Sequence, residues 1–114
     1  MYTNLFRETQ YKDGNPLTDK MYNYDTNLYL ISTYKDDIRL DTLYSSNHNK
    51  KILYREIKDG YYHGDLRLYH PNGKIWIQGT MKNGSLNGDW EEFSAKGTLI
   101  AKMRFDMGYA TIND

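Results

Sequence analysis

The chain has 114 residues, enough for one small domain, and its 15 basic residues are balanced by 15 acidic residues. This balance, with no basic stripe, argues against direct nucleic-acid binding, and the lack of cysteine excludes disulfides, thiolate metal sites and a cysteine nucleophile. The N-terminal segment has no apolar core typical of a signal peptide, and no apolar run approaches the about 20 residues of a membrane-spanning helix. These features predict a soluble, cytoplasmic protein.

A four-residue motif recurs along the chain, with spacings of 23 or 24 residues between copies. The copies are YKDG at 11–14, YKDD at 34–37, IKDG at 57–60, MKNG at 81–84 and FDMG at 105–108. Such a period is typical of proteins built from stacked supersecondary units. We therefore predict a single repeat domain over 1–114, with divergent repeats over 1–56 and clearer repeats over 57–114.

The first half is the less regular copy. Residues 14–28 are the weakest region for a strand, because Pro16 and Asn23 interrupt the alternation, and a helical turn near 17–22 is an alternative. An aromatic series nevertheless runs from this half into the next, with spacings of 22, 25 and 24: Tyr22, Tyr44, Tyr69 and Phe93. The turns of the two halves are therefore expected to differ in length.

In the second half, each repeat reads as a strand, a turn, a second strand and a second turn. Residues 75–82 alternate with period two, and a turn-rich segment follows at 83–88. Reverse turns are expected near the repeated glycines: Gly60, Gly73, Gly84, Gly97 and Gly108. The predicted fold class is all-β, an elongated antiparallel meander of about eight to ten strands in a mostly single-layer twisted sheet. A compact sandwich is the alternative.

Side chains that hold the same repeat slot are expected to share one side of this sheet. Ile57, Met81 and Phe105 hold one slot and are predicted to stack as neighbours. Trp90 takes the slot that Leu66 has in the previous repeat and is predicted to pack in the apolar stripe. Without a second layer, such cross-strand pairs contribute roughly 0.2–1 kcal/mol each.

Residues 52–109 carry a recognisable pattern of glycines and aromatics. The glycine positions are Gly60, Gly64, Gly73, Gly84, Gly88, Gly97 and Gly108. The pattern resembles the MORN-repeat variant, and in particular the repeats of the YwqK-type antitoxin family. The resemblance is weaker over 1–51, where Asp37 and Asp41 stand where glycines are expected. It implies a MORN-like β-hairpin fold and, for small bacterial proteins, a neutralising partner of a toxin; other MORN-like proteins are interaction or membrane-associated scaffolds.

The histidines and carboxylates do not form a recognisable catalytic or metal site. His48, His63 and His70 lack a second ligand at metal-binding spacing and are interpreted as exposed loop residues, with a catalytic base as the alternative. Adjacent strand residues point to opposite faces, so Glu91 and Glu92 cannot form one acid–base pair. The sequence therefore predicts no enzyme, no catalytic residue, no metal site and no cofactor.

Aromatic and acidic side chains of the second half are the candidates for binding a protein partner. The predicted residues are Tyr61, Tyr62, His63, Trp76, Glu91 and Glu92. The predicted loop 59–64 carries three of them although small residues could make the same turn. Trp76 has no aromatic counterpart one repeat later, and strand alternation places it with Gln78 on the wetter face. The glutamates would supply charge towards a basic cleft. Packing within the sheet is the alternative for each aromatic.

A second surface is kept as the fallback. It lies in the divergent half around Asp36, Asp37 and Asp41, where the adjacent acids are interpreted either as a solvated turn or as contacts to a basic partner.

We expect a non-enzymatic, protein-binding inhibitor, antitoxin-like or immunity-like, that occludes a toxin, a nuclease or a defence enzyme. The alternative is a MORN-type structural or interaction scaffold, with or without membrane association. The expected partner is a protein rather than a small-molecule substrate, and open sheet edges could also pair copies of the chain as a homo-oligomer.

Overall fold

A computed structural model describes residues 5–47 and 49–111, which form one open antiparallel sheet whose strands pair in chain order. The ten strands are β1 (Leu5–Lys12), β2 (Asn15–Asn23), β3 (Leu28–Lys35), β4 (Ile38–Ser45), β5 (Lys50–Lys58), β6 (Tyr61–Tyr69), β7 (Ile75–Lys82), β8 (Ser85–Phe93), β9 (Leu99–Asp106) and β10 (Tyr109–Thr111). The predicted all-β meander is confirmed. The alternative sandwich does not form, because these strands belong to a single sheet.

The sheet is elongated, as the repeat period predicts. Its principal extents are 51 × 31 × 27 Å, and its radius of gyration is 16.2 Å. A compact domain of this length would have a radius of gyration of about 13 Å. The difference follows from a sheet without a second layer, in which each strand packs mainly against its neighbours in the chain.

Tight turns join the strands at the repeated motif. The turns Asp13–Gly14, Asp59–Gly60, Asn83–Gly84 and Met107–Gly108 have φ angles between 49° and 93° at both central residues. Two successive positive φ angles are typical of a type I′ turn, whose twist matches that of the flanking strands. The connections at 70–74 and 94–98 contain Gly73 and Gly97, with φ of 89° and 94°. The predicted turn positions are therefore confirmed.

Residues 15–23 form β2, so the helical turn considered near 17–22 is not formed. Pro16 is accommodated because β2 begins to pair with β3 only at Thr18. On the other side, the ladder with β1 shifts register between Gln10 and Tyr11, opposite Pro16. A proline without a backbone N–H is tolerated where the ladder is incomplete.

Two bulges distinguish the second half from the first. Residues 63–65 of β6 lie opposite Glu56 alone, and residues 88–90 of β8 lie opposite Gly79 alone. Gly64 and Gly88 have φ of 117° and 75° there, a backbone conformation that other residues rarely adopt. The corresponding pair β3–β4 runs without a register shift.

The missing bulge changes the repeat position of Asp41. Asp41 pairs laterally with Arg55, Arg55 with Leu66, and Leu66 with Gly79. Asp41 thus occupies the slot of Leu66 one repeat later, and not the glycine slot assigned from the sequence. That assignment is wrong because the sequence count assumed a bulge that β4 does not have.

Ile57, Met81 and Phe105 lie on β5, β7 and β9, which are alternate strands. They share one side of the sheet, as predicted, but the prediction that they stack as neighbours is wrong, because an intervening strand separates each from the next by about 10 Å. Ile57 is only 7% exposed, whereas Phe105 is half-buried. The predicted packing of Trp90 in the apolar stripe is confirmed by its edge-on contact with Phe105, with ring centroids 6.4 Å apart.

Phe105→Ala is expected to lower the free energy of unfolding by about 2 kcal/mol. This is less than the about 3–5 kcal/mol of a fully buried aromatic residue, because Phe105 keeps part of its surface in water. Urea denaturation followed by circular dichroism measures the loss. Tyr109→Ala, at a far more exposed aromatic residue, serves as a control with a change below about 0.5 kcal/mol. An equally small loss for Phe105→Ala would contradict the assigned packing.

Candidate protein-binding face

The cross-strand register assigns side chains to two faces of the sheet. We call the face that carries Asp41, Arg55, Leu66, Ile77 and Trp90 the Trp90 face. We call the face that carries Thr42, Tyr54, Arg67, Gln78 and Glu91 the Tyr54 face. Paired residues of antiparallel strands point to the same side, so each row of partners stays on one face.

The Trp90 face of the first half is closed by a polar network around Asp41, whose side chain is 0% exposed. Ser32 Oγ donates a hydrogen bond to Asp41 Oδ1 at 2.7 Å. Arg39 Nε donates to the same oxygen at 3.0 Å, and Arg55 Nε donates to Oδ2 at 2.8 Å. Both carboxylate oxygens are therefore satisfied within the sheet.

These contacts decide the charge state of the buried acids. Burial by itself raises the pKa of Asp41, but hydrogen bonds from Ser32, Arg55 and Arg39 outweigh burial and hold that pKa below its ordinary value of 3.8. A hydrogen bond from Arg7 likewise lowers the pKa of Asp19 against the opposing effect of burial. Asp41 is not accessible to a partner. Of the three acids predicted for the fallback surface, Asp36, Asp37 and Asp41, Asp41 therefore cannot contribute to binding.

The Tyr54 face of the first half is covered by stacked tyrosine rings. Tyr29 lies between Tyr22 and Tyr44, with centroid distances of 6.0 Å and 4.9 Å and interplanar angles of 7° and 9°. Further along this face, burial and a hydrogen bond to Glu56 raise the pKa of Tyr54 to about 12. Because the stacked rings cover one another, they do not form an open aromatic platform.

Tyr61, Tyr62 and His63 lie in strand β6 and not in a loop. The prediction of a loop over 59–64 is wrong because a type I′ turn needs only two central residues. Arg55 Nη1 donates to the Tyr62 hydroxyl at 2.9 Å, and the Asn83 N–H donates to His63 Nδ1 at 3.3 Å. Tyr62 and His63 thus bind to groups of β5 and of the turn after β7 through hydrogen bonds, whereas Tyr61 is 60% exposed.

Trp76 is the extra residue in β7 where the ladder with β6 shifts register, between the paired residues Ile75 and Ile77. Its indole Nε1 donates to Glu92 Oε2 at 3.1 Å. The bulge interrupts the alternation that placed Trp76 with Gln78, and the indole instead contacts a residue of the Trp90 face. Trp76 remains 39% exposed.

Glu91 and Glu92 point to opposite faces, as strand alternation predicts. Glu91 pairs with Gln78 on the Tyr54 face, and Glu92 pairs with Ile77 on the Trp90 face. Gln78 Nε2 donates to Glu91 Oε1 at 3.1 Å. The two side chains therefore point to opposite faces of the sheet.

A shallow hollow of about 350 Å³ opens on the Trp90 face between β7, β8 and β9. Its lining residues are Ile77, Trp90, Glu91, Glu92, Ala101, Lys102, Met103 and Phe105. Glu91 and Lys102 also contribute to this lining, although the register places their side chains on the Tyr54 face. Met103 is 54% exposed. The hollow is largely apolar and includes Glu92, which accepts the Trp76 hydrogen bond, but neither Trp76 nor Tyr61 is among its lining residues.

Gly79 makes room for the Trp90 indole, which lines the hollow. The Trp90 indole lies directly over Gly79, where any Cβ atom would overlap the ring. The indole Nε1 donates to the Thr80 carbonyl at 3.1 Å. Neither Met103, which lines the hollow, nor Gly79 is among the residues predicted from the sequence, although a lone glycine within a strand is a signal of close approach by another group.

The histidines are anchored rather than free. His70 Nε2 lies 2.7 Å from the Phe93 carbonyl, so it donates a hydrogen bond there, and both His63 and His70 are half-buried. The interpretation as exposed loop residues is therefore wrong for His63, which lies in β6, and wrong about exposure for His70, which lies in the connection after β6. His48 lies outside the described residues. Within 5–47 and 49–111, no three acidic or histidine side chains are grouped to hold a metal ion, and no helix could span a membrane.

Part of the second half of the chain is similar to a known repeat family. The family described as MORN repeat variant matches residues 62–83. The chain carries a MORN repeat. The match covers most of β6, the connection at 70–74 and all of β7, and it ends at Asn83, the first central residue of the next type I′ turn. No curated protein matches the chain.

Two solved structures share the MORN-like meander. The crystal structure of TarM has 13% identity and a TM-score of 0.59, and the match covers 89% of this chain and 19% of that chain. A mutant of S. aureus TarM in complex with Fondaparinux, alpha-GlcNAc-glycerol and UDP has 12% identity and a TM-score of 0.61, and the match covers 90% of this chain and 20% of that chain. The chain thus spans about a fifth of these proteins, and the likeness concerns the fold alone.

Proposed function

We propose that this MORN-repeat protein is a non-enzymatic inhibitor, antitoxin-like or immunity-like, that occludes a protein target with the second half of its Trp90 face. The observation that carries this proposal is the apolar hollow between β7 and β9, which stands open on a sheet without a second layer. Contiguous exposed apolar surfaces on soluble proteins mark interaction sites more often than chance. Aromatic residues and methionine are also enriched in protein interfaces.

The contrast between the two halves supports this choice of surface. In the first half, the central row of the Trp90 face contains Asp19 and Asp41, which are satisfied by arginines of the same sheet. In the second half, the same row passes through Leu66, Gly79 and Met103. Removing such apolar surface from water contributes roughly 25 cal/mol for each Å², before the costs of association are subtracted.

The sequence resemblance gives the proposal its finer form. The MORN match supports the repeat, and the likeness of residues 52–109 to YwqK-type antitoxins suggests a toxin or nuclease as the target. Glu92 and the exposed Trp76 lie beside the hollow, where they could contact a cationic active-site cleft. The ligands in the TarM title belong to that protein, and none is transferred to this chain.

Capture of the target tests the proposal. The immobilised full chain is incubated with a lysate of its native host, bound proteins are identified by mass spectrometry, and the activity of a purified candidate is assayed with and without the chain. We expect the chain to inhibit the candidate at stoichiometric concentration. A candidate that binds but keeps its activity would favour the scaffold alternative instead.

Met103→Asp is expected to weaken binding of that target at least about 10-fold, because it places an unpaired charge in an apolar contact. Tyr11→Ala, an exposed aromatic change in the first half, is the control and is expected to change the affinity less than about twofold. Isothermal titration calorimetry measures both affinities, and circular dichroism confirms folding. Equal affinities of the two variants would exclude the hollow as the binding surface.

A further inference from the structure

We infer that the hollow binds a basic side chain of the target that lies next to a large apolar side chain, and that the Glu92 carboxylate pairs with the basic group. This inference rests on the proposed function, because it specifies what the proposed binding surface recognises.

Glu92 is the single ionisable side chain among the paired residues of β7–β9 on the Trp90 face. The other members of this set are Ile77, Gly79, Met81, Leu86, Gly88, Trp90, Ala101, Met103 and Phe105. A negative charge on an otherwise apolar surface favours binding of a partner's cation there, because apolar surroundings of low dielectric strengthen the attraction between the two charges.

The neighbouring charges do not neutralise Glu92. Lys102 lies on the Tyr54 face, with its Nζ 4.0 Å from Asp89 Oδ2, and Arg104 Nη1 donates to Asp89 Oδ1 at 3.0 Å. Within the described part of the chain, no ion pair includes Glu92. Its charge is therefore available to a partner.

The Glu92 carboxylate is oriented without being neutralised. The Trp76 indole is a neutral donor and contacts Oε2, while no hydrogen bond to Oε1 forms within the described residues. A lysine or arginine of the target could bind Oε1 without displacing Trp76. The adjacent apolar side chain would then lie on Trp90 and Met103, and methionine adapts readily to different shapes.

Charge also decides between a foreign protein and a second copy of this chain. A twofold pairing of two Trp90 faces would bring the same patch against itself. It would bury two Glu92 carboxylates, and the paired residues of β7–β9 on that face include no cation to compensate them, which is costly. A basic segment of a different protein satisfies the carboxylate, so we commit to that occupant.

A peptide selection tests the inference with the full chain. A phage-displayed library of random peptides is selected on the immobilised protein, and the enriched peptides are synthesised and titrated by calorimetry. We expect the enriched peptides to place lysine or arginine beside a large apolar residue. Replacing that basic residue by glutamine in the peptide is expected to weaken binding about 10-fold.

Glu92→Gln is the decisive variant, because the amide oxygen can still accept the Trp76 hydrogen bond while the charge is lost. We expect it to bind the peptides about 10-fold more weakly and to lose the preference for the basic residue. Glu8→Gln makes the same chemical change at an exposed position of β1 and is expected to change the affinity less than about twofold.

The failures can be told apart. Peptide binding that is abolished by Met103→Asp but insensitive to Glu92→Gln would overturn the charge selection and leave the proposed surface standing. Enriched peptides without basic residues, or no enriched peptides, would overturn the inference as well. Dimerisation seen by sedimentation and lost in Met103→Asp would identify a second copy as the occupant. The proposed function itself depends on inhibition of the captured target.

Discussion

Asp41→Ala is expected to lower the free energy of unfolding by about 2–4 kcal/mol at pH 7. Breaking a buried ion pair typically costs about 3–5 kcal/mol, because the remaining charge loses its partner. The expected loss is smaller here because Arg39 and Arg55 keep part of their surface in water. Urea denaturation followed by circular dichroism measures it. The control is Asp37→Ala, which removes an exposed ion pair with Lys58 at 3.7 Å and should cost less than about 0.5 kcal/mol.

The effect of Asp41 should depend on pH in one direction. Its pKa in the folded state lies below the ordinary value of 3.8, so the ionised carboxylate favours folding at pH values above 3.8. This stabilisation is lost as the pH falls below 3.8 through the pKa of the folded state. The stability gap between the parent and Asp41→Ala should therefore narrow over that range. A gap that is constant with pH would contradict the assigned charge network.

Gly79→Ala is expected to lower the free energy of unfolding by about 2–3 kcal/mol, near the upper end of the cost of overpacking. The added methyl group would occupy the space of the Trp90 indole, which is held in place by its hydrogen bond to Thr80. Gly60→Ala separates this steric cost from backbone strain, because nothing lies within 4 Å of its Cβ position although φ is 81°. Gly60→Ala should cost about 1–2 kcal/mol.

The double variant Gly79→Ala/Trp90→Leu tests the cause of that loss. In the previous repeat of the sequence, Leu66 stands at the position that corresponds to Trp90. A leucine side chain is smaller than an indole and leaves room for a methyl group at position 79. We expect the Gly79→Ala substitution to cost at least about 1 kcal/mol less in the Trp90→Leu background than in the parent. Urea denaturation measures the free energy of unfolding of all four proteins: the parent, the two single variants and the double variant. Equal costs in both backgrounds would show that Trp90 is not the obstacle.

The turns and the strand number could be predicted because their causes are local. A two-residue hairpin turn needs positive φ angles, and the pairs at 59–60 and 83–84 supply residues that tolerate them. The period of 23 or 24 residues then requires two strands for each unit. Pro16 misled because the sequence does not show that pairing with β3 begins only at Thr18 and that the ladder with β1 shifts register beside Pro16.

The site was harder to predict because bulges change the count of residues along a strand. The bulge at Gly64 has no counterpart in β4, so Asp41 was placed two positions away from its actual slot. The register shift beside Trp76 likewise turned its indole towards Glu92. Exposure of Met103 depends on which strands flank it and on what covers them, and no local pattern contains that information.

The pairing of every strand with its neighbours in the chain has a consequence for folding kinetics. All ladders join segments that are close in sequence, so folding does not need to close long loops before contacts form, and the rate should be high for an all-β protein. Any hairpin can serve as a nucleus from which ordering spreads to both sides. Amide hydrogen exchange should accordingly be slowest in the middle strands, β4 to β6, and become faster towards both ends of the sheet.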